Sequence, residues 1–233
     1  MGRRGRTAHR NGPGGVTTPG TNVDEPPALP SPESFETLLR WRRDVRRFQP
    51  DLLPAGLLER LLEAANLAPS VGNSQPWRIV RVETPSLRAA ARANFEAANA
   101  TASAQYGGRR RTTYDSLKLA GFDLAPVHLA IFCDPDPAEG HGLGRQTQAL
   151  TLDYSCAGFI TLLWLAARTH GVGLGWVSIL SPEEIARALA VPAGWRFVGY
   201  LLLGYPQEEH DDPELVRHHW QARGAVSART LLR

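Results

Sequence analysis

The sequence predicts an α+β or α/β three-layer domain. Three observations carry that expectation. Helical and strand-like apolar patterns are interleaved along the chain, the strand-like segments are short and densely apolar, and one late helix is apolar on nearly every side, so other elements must cover it.

Residues 1–33 are rich in Gly, Pro, Arg and Thr and nearly empty of large apolar side chains. Burial cannot offset the entropy of ordering such a segment, so a disordered basic tail is expected there. Ser31-Pro32 offers a capping hydroxyl and a proline at a first helical position, and Phe35, Leu38 and Leu39 keep helical spacing up to Arg42. Leu57, Leu58, Leu61, Leu62 and Ala65 form the stripe of a second helix, stopped by Pro69. Trp77–Val82 reads as a short strand. Thr84-Pro85 opens a long Ala-rich helix that ends around Gly107-Gly108, and the polar, Arg-rich stretch 106–125 reads as a flap. Pro126–Cys133 is a buried strand, residues 148–169 the over-apolar helix, and Leu174–Ile179 another strand. Ser181-Pro182-Glu183-Glu184 has the form of a capping box opening a helix to about Ala190. Phe197–Leu203 is the last strand, followed by a polar arm. One domain over 34–223 and a C-terminal tail at 224–233 result, without internal repeats.

Composition bounds the function. The 233 residues are 42% hydrophobic and 21% charged, ordinary for a soluble domain that needs no disulfide or metal to hold its core. The formal charge is +3, but the excess is concentrated at Arg3, Arg4, Arg6 and Arg10 and at Arg109-Arg110-Arg111. Those clusters read either as a solubilising tail and a solvated loop, or as attraction for an anionic, phosphate-bearing small molecule. No basic stripe with interleaved aromatics points to nucleic acid. Cys133 and Cys156 have no metal-ligand spacing and fit a reducing compartment. No charged start is followed by the apolar run of a signal peptide, and Cys156–Ala167 is too short to span a bilayer. A cytoplasmic enzyme with no metal and no membrane partner is expected.

The densest candidate for chemistry is Arg42-Arg43-Asp44-Val45-Arg46-Arg47. Guanidinium forks donate paired hydrogen bonds suited to phosphate, although a solvated charged helix end fits the same composition. Ala68–Trp77, which contains Ser70, joins a helix to a strand with many small polar groups and reads as a capping turn or a ligand-lining loop. Gly171-Val172-Gly173-Leu174-Gly175 follows a helix and enters a strand, which excludes a dinucleotide fingerprint and leaves Ser178 at the strand's far end. Gly140–Arg145 reads as a flexible loop or an anion nest. No nucleophile signature or Walker loop is present.

Together these segments resemble the nitroreductase-like FMN superfamily. An Arg-rich helix end, a Pro-Ser-x-x-Asn-x-Gln-Pro-Trp turn and a late Gly-x-Gly strand occur in that order. Arg42-Arg43-Asp44-Val45-Arg46, Ala68–Trp77, Tyr114 with Leu117-Lys118-Leu119, Gly140–Gln146, Trp164–Arg168, Gly173–Ile179 and Leu203–Pro206 resemble more closely the BluB family of 5,6-dimethylbenzimidazole synthases. The resemblance covers roughly 35–223. It implies an α+β, nitroreductase-like three-layer α/β/α sandwich around a central mixed sheet, in a domain-swapped homodimer with FMN at the subunit interface. It further implies that reduced FMN is the substrate, fragmented with dioxygen to 5,6-dimethylbenzimidazole, the cobalamin lower ligand, and erythrose 4-phosphate, with a separate flavin reductase supplying it.

Residue by residue, the resemblance assigns Arg42, Arg43 and Arg46 to the FMN phosphate and ribityl chain. It assigns Ser70 to the flavin from the turn, Leu119 to the closing flap, and Asp44 and Ser178 to a catalytic pair. Asp44 and its neighbour Val45 belong to the same binding segment. Among arginines Asp44 is expected to stay ionised, and the three glycines before Ser178 are expected to let the backbone approach a flat ring. Two departures bear on the site: Ala120 stands where the family often has Glu, and Gln207-Glu208 where a relative has a basic residue. An FMN-dependent NAD(P)H nitroreductase and a non-catalytic flavin-binding protein are the competing readings.

Overall fold

The computed structural model describes residues 29–117 and 121–233. The expected tail lies outside the described residues up to residue 28, and Leu119 and Ala120 also lie outside them. Pro32–Arg233 form one unit. In chain order its elements are α1 (Pro32–Trp41), α2 (Leu57–Ala65), β1 (Trp77–Arg81), α3 (Pro85–Ser103), α4 (Gly108–Ser116), α5 (Gly121–Leu124), β2 (Val127–Cys133), α6 (Thr151–Thr169), β3 (Gly173–Val177), α7 (Pro182–Ala188), β4 (Arg196–Gly204) and α8 (Glu214–Arg217).

The strands form a four-stranded sheet in the order β1-β2-β4-β3. Every neighbouring pair is antiparallel, with Ile79 opposite Ile131, Leu129 opposite Leu201 and Leu174 opposite Leu203. The expected mixed sheet is therefore antiparallel across its four strands. Among the described residues, parallel pairing enters only as an isolated bridge between Asp44 and Leu174.

Alternation along the strands sorts the core onto both faces of the sheet. Leu129, Ile131, Cys133, Leu201 and Leu203 face α2 and α6, while Ala130, Phe132, Tyr200 and Leu202 face Ala91 of α3, Phe122 of α5 and Ile185 of α7. That gives the three layers. Helix α6 buries Leu152, Cys156, Phe159, Ile160, Leu163 and Ala167, each large apolar group contributing about 1.5–3 kcal/mol of transfer free energy. Phe159 stacks on Trp77 with ring centroids 5.0 Å apart. Cys133 and Cys156 are both free and buried.

Three local expectations change. Helix α1 ends at Trp41, so the arginine cluster lies beyond the helix in an irregular segment bridged to β3 at Asp44 and to Pro206 at Phe48. The capping box does not close. Ser181 makes no side-chain cap, and Glu184 instead meets the Asn94 amide, whose oxygen accepts from the Ser181 N–H at 2.8 Å. The buried Asn94 thus satisfies the α7 N-terminus from another helix. The flap stretch contains α4 and α5 rather than loop alone, because Phe122 has a core site to fill.

Candidate active site

The segment after α1 is held against β3 by its backbone. Val45 N–H donates to the Leu174 carbonyl at 3.1 Å, and the Asp44 carboxylate Oδ1 accepts the Trp176 N–H at 3.0 Å. Two glycines of β3 make this approach possible. A Cβ on Gly173 would lie 2.6 Å from Val45 Cγ2, and one on Gly175 would overlap the Val45 carbonyl oxygen. The expectation that these glycines make room for a flat ring is thus corrected: their space is taken by Val45.

The four arginines diverge. Arg42 lies over the Trp164 ring, 4.5 Å from its centroid. Arg43 donates to the Asp211 carbonyl at 2.7 and 3.0 Å. Arg47 pairs with Glu208. Arg46 alone reaches Asp44, at 3.3 Å, and shares its charge with Glu214 at 3.4 Å. Burial is the largest influence on Asp44 and raises its pKa above the ordinary carboxylate value. The Trp176 N–H and the Arg46 charge oppose it, and Glu214 adds to the rise. Because 38% of the side chain is still open at the pocket wall, water limits that rise. The arginines therefore do not set the direction of the Asp44 shift as expected, since most of those charges point elsewhere.

Ser178 follows β3 directly, and its hydroxyl makes no hydrogen bond with the described residues. Asp44, Arg46 and Ser178 line one pocket of about 240 Å³ whose walls include Phe95, Tyr114, Trp176 and Trp220. Arg42, Arg43 and Val45 line a separate small cavity with Trp41, Trp164 and Arg168. Burial, and after it the charge of Arg223, lowers the Arg42 pKa; Arg43 is lowered by burial and then by Arg42 and Arg223. Crowded like charges of this kind are relieved by a bound anion. Arg223, a later cation of the C-terminal arm, is thus close enough to act on both Arg42 and Arg43.

Ser70 is not brought to the Asp44–Ser178 pocket. Its hydroxyl accepts the Gln75 N–H at 3.0 Å within a turn in which Gly72, Asn73 and Gln75 all have left-handed backbones, with φ of 59°, 54° and 44°. Such conformations cost about 1–3 kcal/mol at non-glycine residues and cluster at ligand sites. The turn is anchored where Val71 N–H meets Ser155 Oγ, near the start of α6, whereas Arg43 meets Trp164 Nε1, toward the other end of the helix. At helical rise those anchors are about 13 Å apart along the axis.

Several pocket residues carry little signal in the sequence. Asn99, Phe95 and Trp220 belong to segments read only as an Ala-rich helix and a polar arm. The one cue was a Trp, large and apolar, within the polar run before Gln221. Among the described residues no cluster of three or more His, Cys, Asp or Glu could hold a metal ion, and no helix is long and apolar enough to cross a membrane.

Residues 39–205 match the nitroreductase family. The chain is 48% identical over 189 residues to a 5,6-dimethylbenzimidazole synthase of Rhodobacter capsulatus, covering 81% of this chain and 91% of that protein. It is 49% identical over 191 residues to a 5,6-dimethylbenzimidazole synthase of Rhodospirillum rubrum, covering 82% and 90%. Among solved structures, an oxidized iodotyrosine deiodinase bound to FMN and 3-iodo-L-tyrosine superimposes with a TM-score of 0.63 at 25% identity, covering 74% of this chain and 90% of that one. With the relatives matched across most of their length, the chain belongs to the nitroreductase family and, within it, to the enzyme family of 5,6-dimethylbenzimidazole synthases.

Proposed function

We propose that the protein takes reduced FMN as its substrate and fragments it with dioxygen to 5,6-dimethylbenzimidazole, for the lower ligand of cobalamin, and erythrose 4-phosphate. The observation that carries this reading is the meeting of Asp44 and Ser178 on one aromatic-walled pocket. Bound reduced FMN supplies the reaction with dioxygen and the carbons that are cleaved; the protein's own groups position it and move protons.

Arg42, Arg43 and Arg46 hold the phosphate and ribityl chain, a role supported by the crowding of Arg42, Arg43 and Arg223. Asp44 accepts a proton and returns it. Its raised pKa brings the carboxyl nearer to the working pH, which improves a group that must do both. Ser178 supplies a hydroxyl with no competing partner among the described residues. Tyr114, Trp176 and Trp220 wall the pocket and exclude water.

The active form is a homodimer with exchanged arms, in which Ser70 of the partner subunit completes each flavin site. The distance between the two anchors on α6 supports this, because one subunit keeps its own turn away from its own pocket. Apolar groups left exposed on α1 and the C-terminal arm, such as Phe35 and Leu232, support it as well. The pocket of one subunit also falls below the roughly 300–1,000 Å³ usual for a ligand of this size. The enzyme works in the cytoplasm, where a reducing environment suits its free buried thiols, and a separate reductase delivers reduced FMN.

Aerobic incubation of the protein with excess reduced FMN, followed by mass spectrometry, tests the proposal. Benzimidazole formed in proportion to flavin consumed is the expected result. In a parallel incubation supplied with NAD(P)H, nicotinamide consumption with flavin conserved would replace this reading by a reductase, and binding without consumption of either by a flavin carrier.

A further inference from the structure

The run Arg109-Arg110-Arg111 is left unused by the chemistry above. It occupies the first turn of α4, which starts at Gly108. Cations there face the positive end of the helix dipole, where acidic residues are the stabilising choice. A local choice that works against the stability of its own helix marks a position selected for something else.

Tertiary contacts separate the three arginines. Arg111 approaches Asp115 at 3.8 Å. Arg109 and Arg110 make no ion pair among the described residues, and Arg110 lies over the Trp220 ring at 5.3 Å. From the other side, the segment after α8 brings His218 and His219. These groups, with Thr113, line a basin of about 560 Å³. Among the described residues no carboxylate lines it, although His218 leans toward Glu214 at 3.7 Å. Trp220 is shared: it lines this outer basin and the inner pocket that holds Asp44 and Ser178. Tyr106 and Tyr114 pack against the same ring at 5.3 and 6.2 Å, so the basin borders the inner pocket through one indole.

We propose that this basin is an anion-steering vestibule, in which Arg109 and Arg110 draw the phosphate of the incoming flavin toward the inner pocket. The proposal rests on the flavin reading above and deepens it. Two unpaired guanidiniums beside an aromatic entrance raise the local concentration of a phosphate-bearing, flat-ringed ligand, and they act on association rather than on the chemical step.

The test is stopped-flow binding of oxidised FMN and of riboflavin, followed by flavin fluorescence, on the full-length protein and on the Arg109→Ala/Arg110→Ala double variant. Two charges acting from about 10 Å on a phosphate of about two negative charges predict an association rate lower by roughly five- to tenfold at 10 mM ionic strength, and by about twofold at 0.15 M. Riboflavin association should be unchanged. The Arg109→Lys/Arg110→Lys variant should keep the FMN rate, because charge and not fork geometry does the steering. Equal slowing of FMN and riboflavin, an unchanged FMN rate, or loss of the rate in the lysine variant would each overturn the proposal. A variant that binds free FMN normally but loses turnover only when a reductase supplies the flavin would overturn it in favour of an acidic protein partner. Failure of the parent protein to bind FMN would remove the flavin reading itself and the vestibule with it, whereas normal binding with an unchanged rate in the variant would remove the vestibule alone.

Discussion

Acidification should destabilise this fold through one buried histidine. His128, on β2, is 2% exposed. Its Nδ1 lies 3.0 Å from the Tyr200 hydroxyl, and its buried Nε2 makes no well-formed hydrogen bond among the described residues, with only a weaker influence from the Ala125 backbone. Burial, and after it the charge of Arg88, lowers its pKa from 6.5 to about 4. The unfolded chain therefore takes up a proton near pH 6.5, while the folded chain refuses it until about pH 4. Stability from this group is complete above pH 6.5, falls as pH drops through the window, and is fully lost below about pH 4. A shift of about 2.5 units corresponds to roughly 3 kcal/mol, a large part of a typical domain stability. Asp44, whose pKa is raised on folding, runs the other way and offsets part of the loss. Urea unfolding followed by tryptophan fluorescence at pH 7, 6, 5 and 4 measures the slope. In the His128→Phe/Tyr200→Phe double variant both partners of the hydrogen bond become apolar groups of similar shape, so stability at pH 7 should change by about 1 kcal/mol or less, and the slope between pH 6.5 and 4 should flatten. Parallel loss in the parent and the double variant would refute the reasoning and assign the acid sensitivity to carboxylates.

Asp44→Asn keeps an acceptor for the Trp176 N–H and should bind reduced FMN while slowing benzimidazole formation by about two to four orders of magnitude; unchanged product yield in single-turnover kinetics at saturating flavin would end its catalytic assignment. Ser178→Ala should divert flavin toward plain reoxidation with release of hydrogen peroxide. Gly175→Ala forces a methyl onto the Val45 carbonyl and should cost about 1–3 kcal/mol, seen calorimetrically as a melting point lower by roughly 3–10 °C; a change below one degree would show that the Val45 segment yields freely. Arg43→Ala should weaken FMN binding far more than riboflavin binding, and equal losses in titration would show that the phosphate is not what this residue reads. Sedimentation at low micromolar concentration should give twice 25.5 kDa, and a monomer that still binds FMN would exclude the interface site.

The sequence by itself determined the main helices and strands, because their signals are local, but not the short helices α4, α5 and α8. The stripe from Leu57 to Ala65 and the dense apolar run at Val127–Cys133 each encode an element in a handful of side chains, and the structure places α2 and β2 there. Its motifs also singled out Asp44 and Ser178, which share one pocket. Tertiary structure alone decided how the residues between those motifs are used. Four arginines adjacent in sequence looked like one charge cloud around Asp44, but an irregular segment points successive side chains in different directions. Arg42 went to Trp164, Arg43 and Arg47 to the C-terminal arm, and only Arg46 stayed with the carboxylate. Burial then set the direction of the Asp44 pKa, a quantity that no run of neighbours records. Likewise the glycines of β3 answer to Val45, and Trp220 reaches the pocket from an arm with no periodic pattern, because contacts between segments far apart in the chain depend on how the layers pack and leave no trace in local spacing.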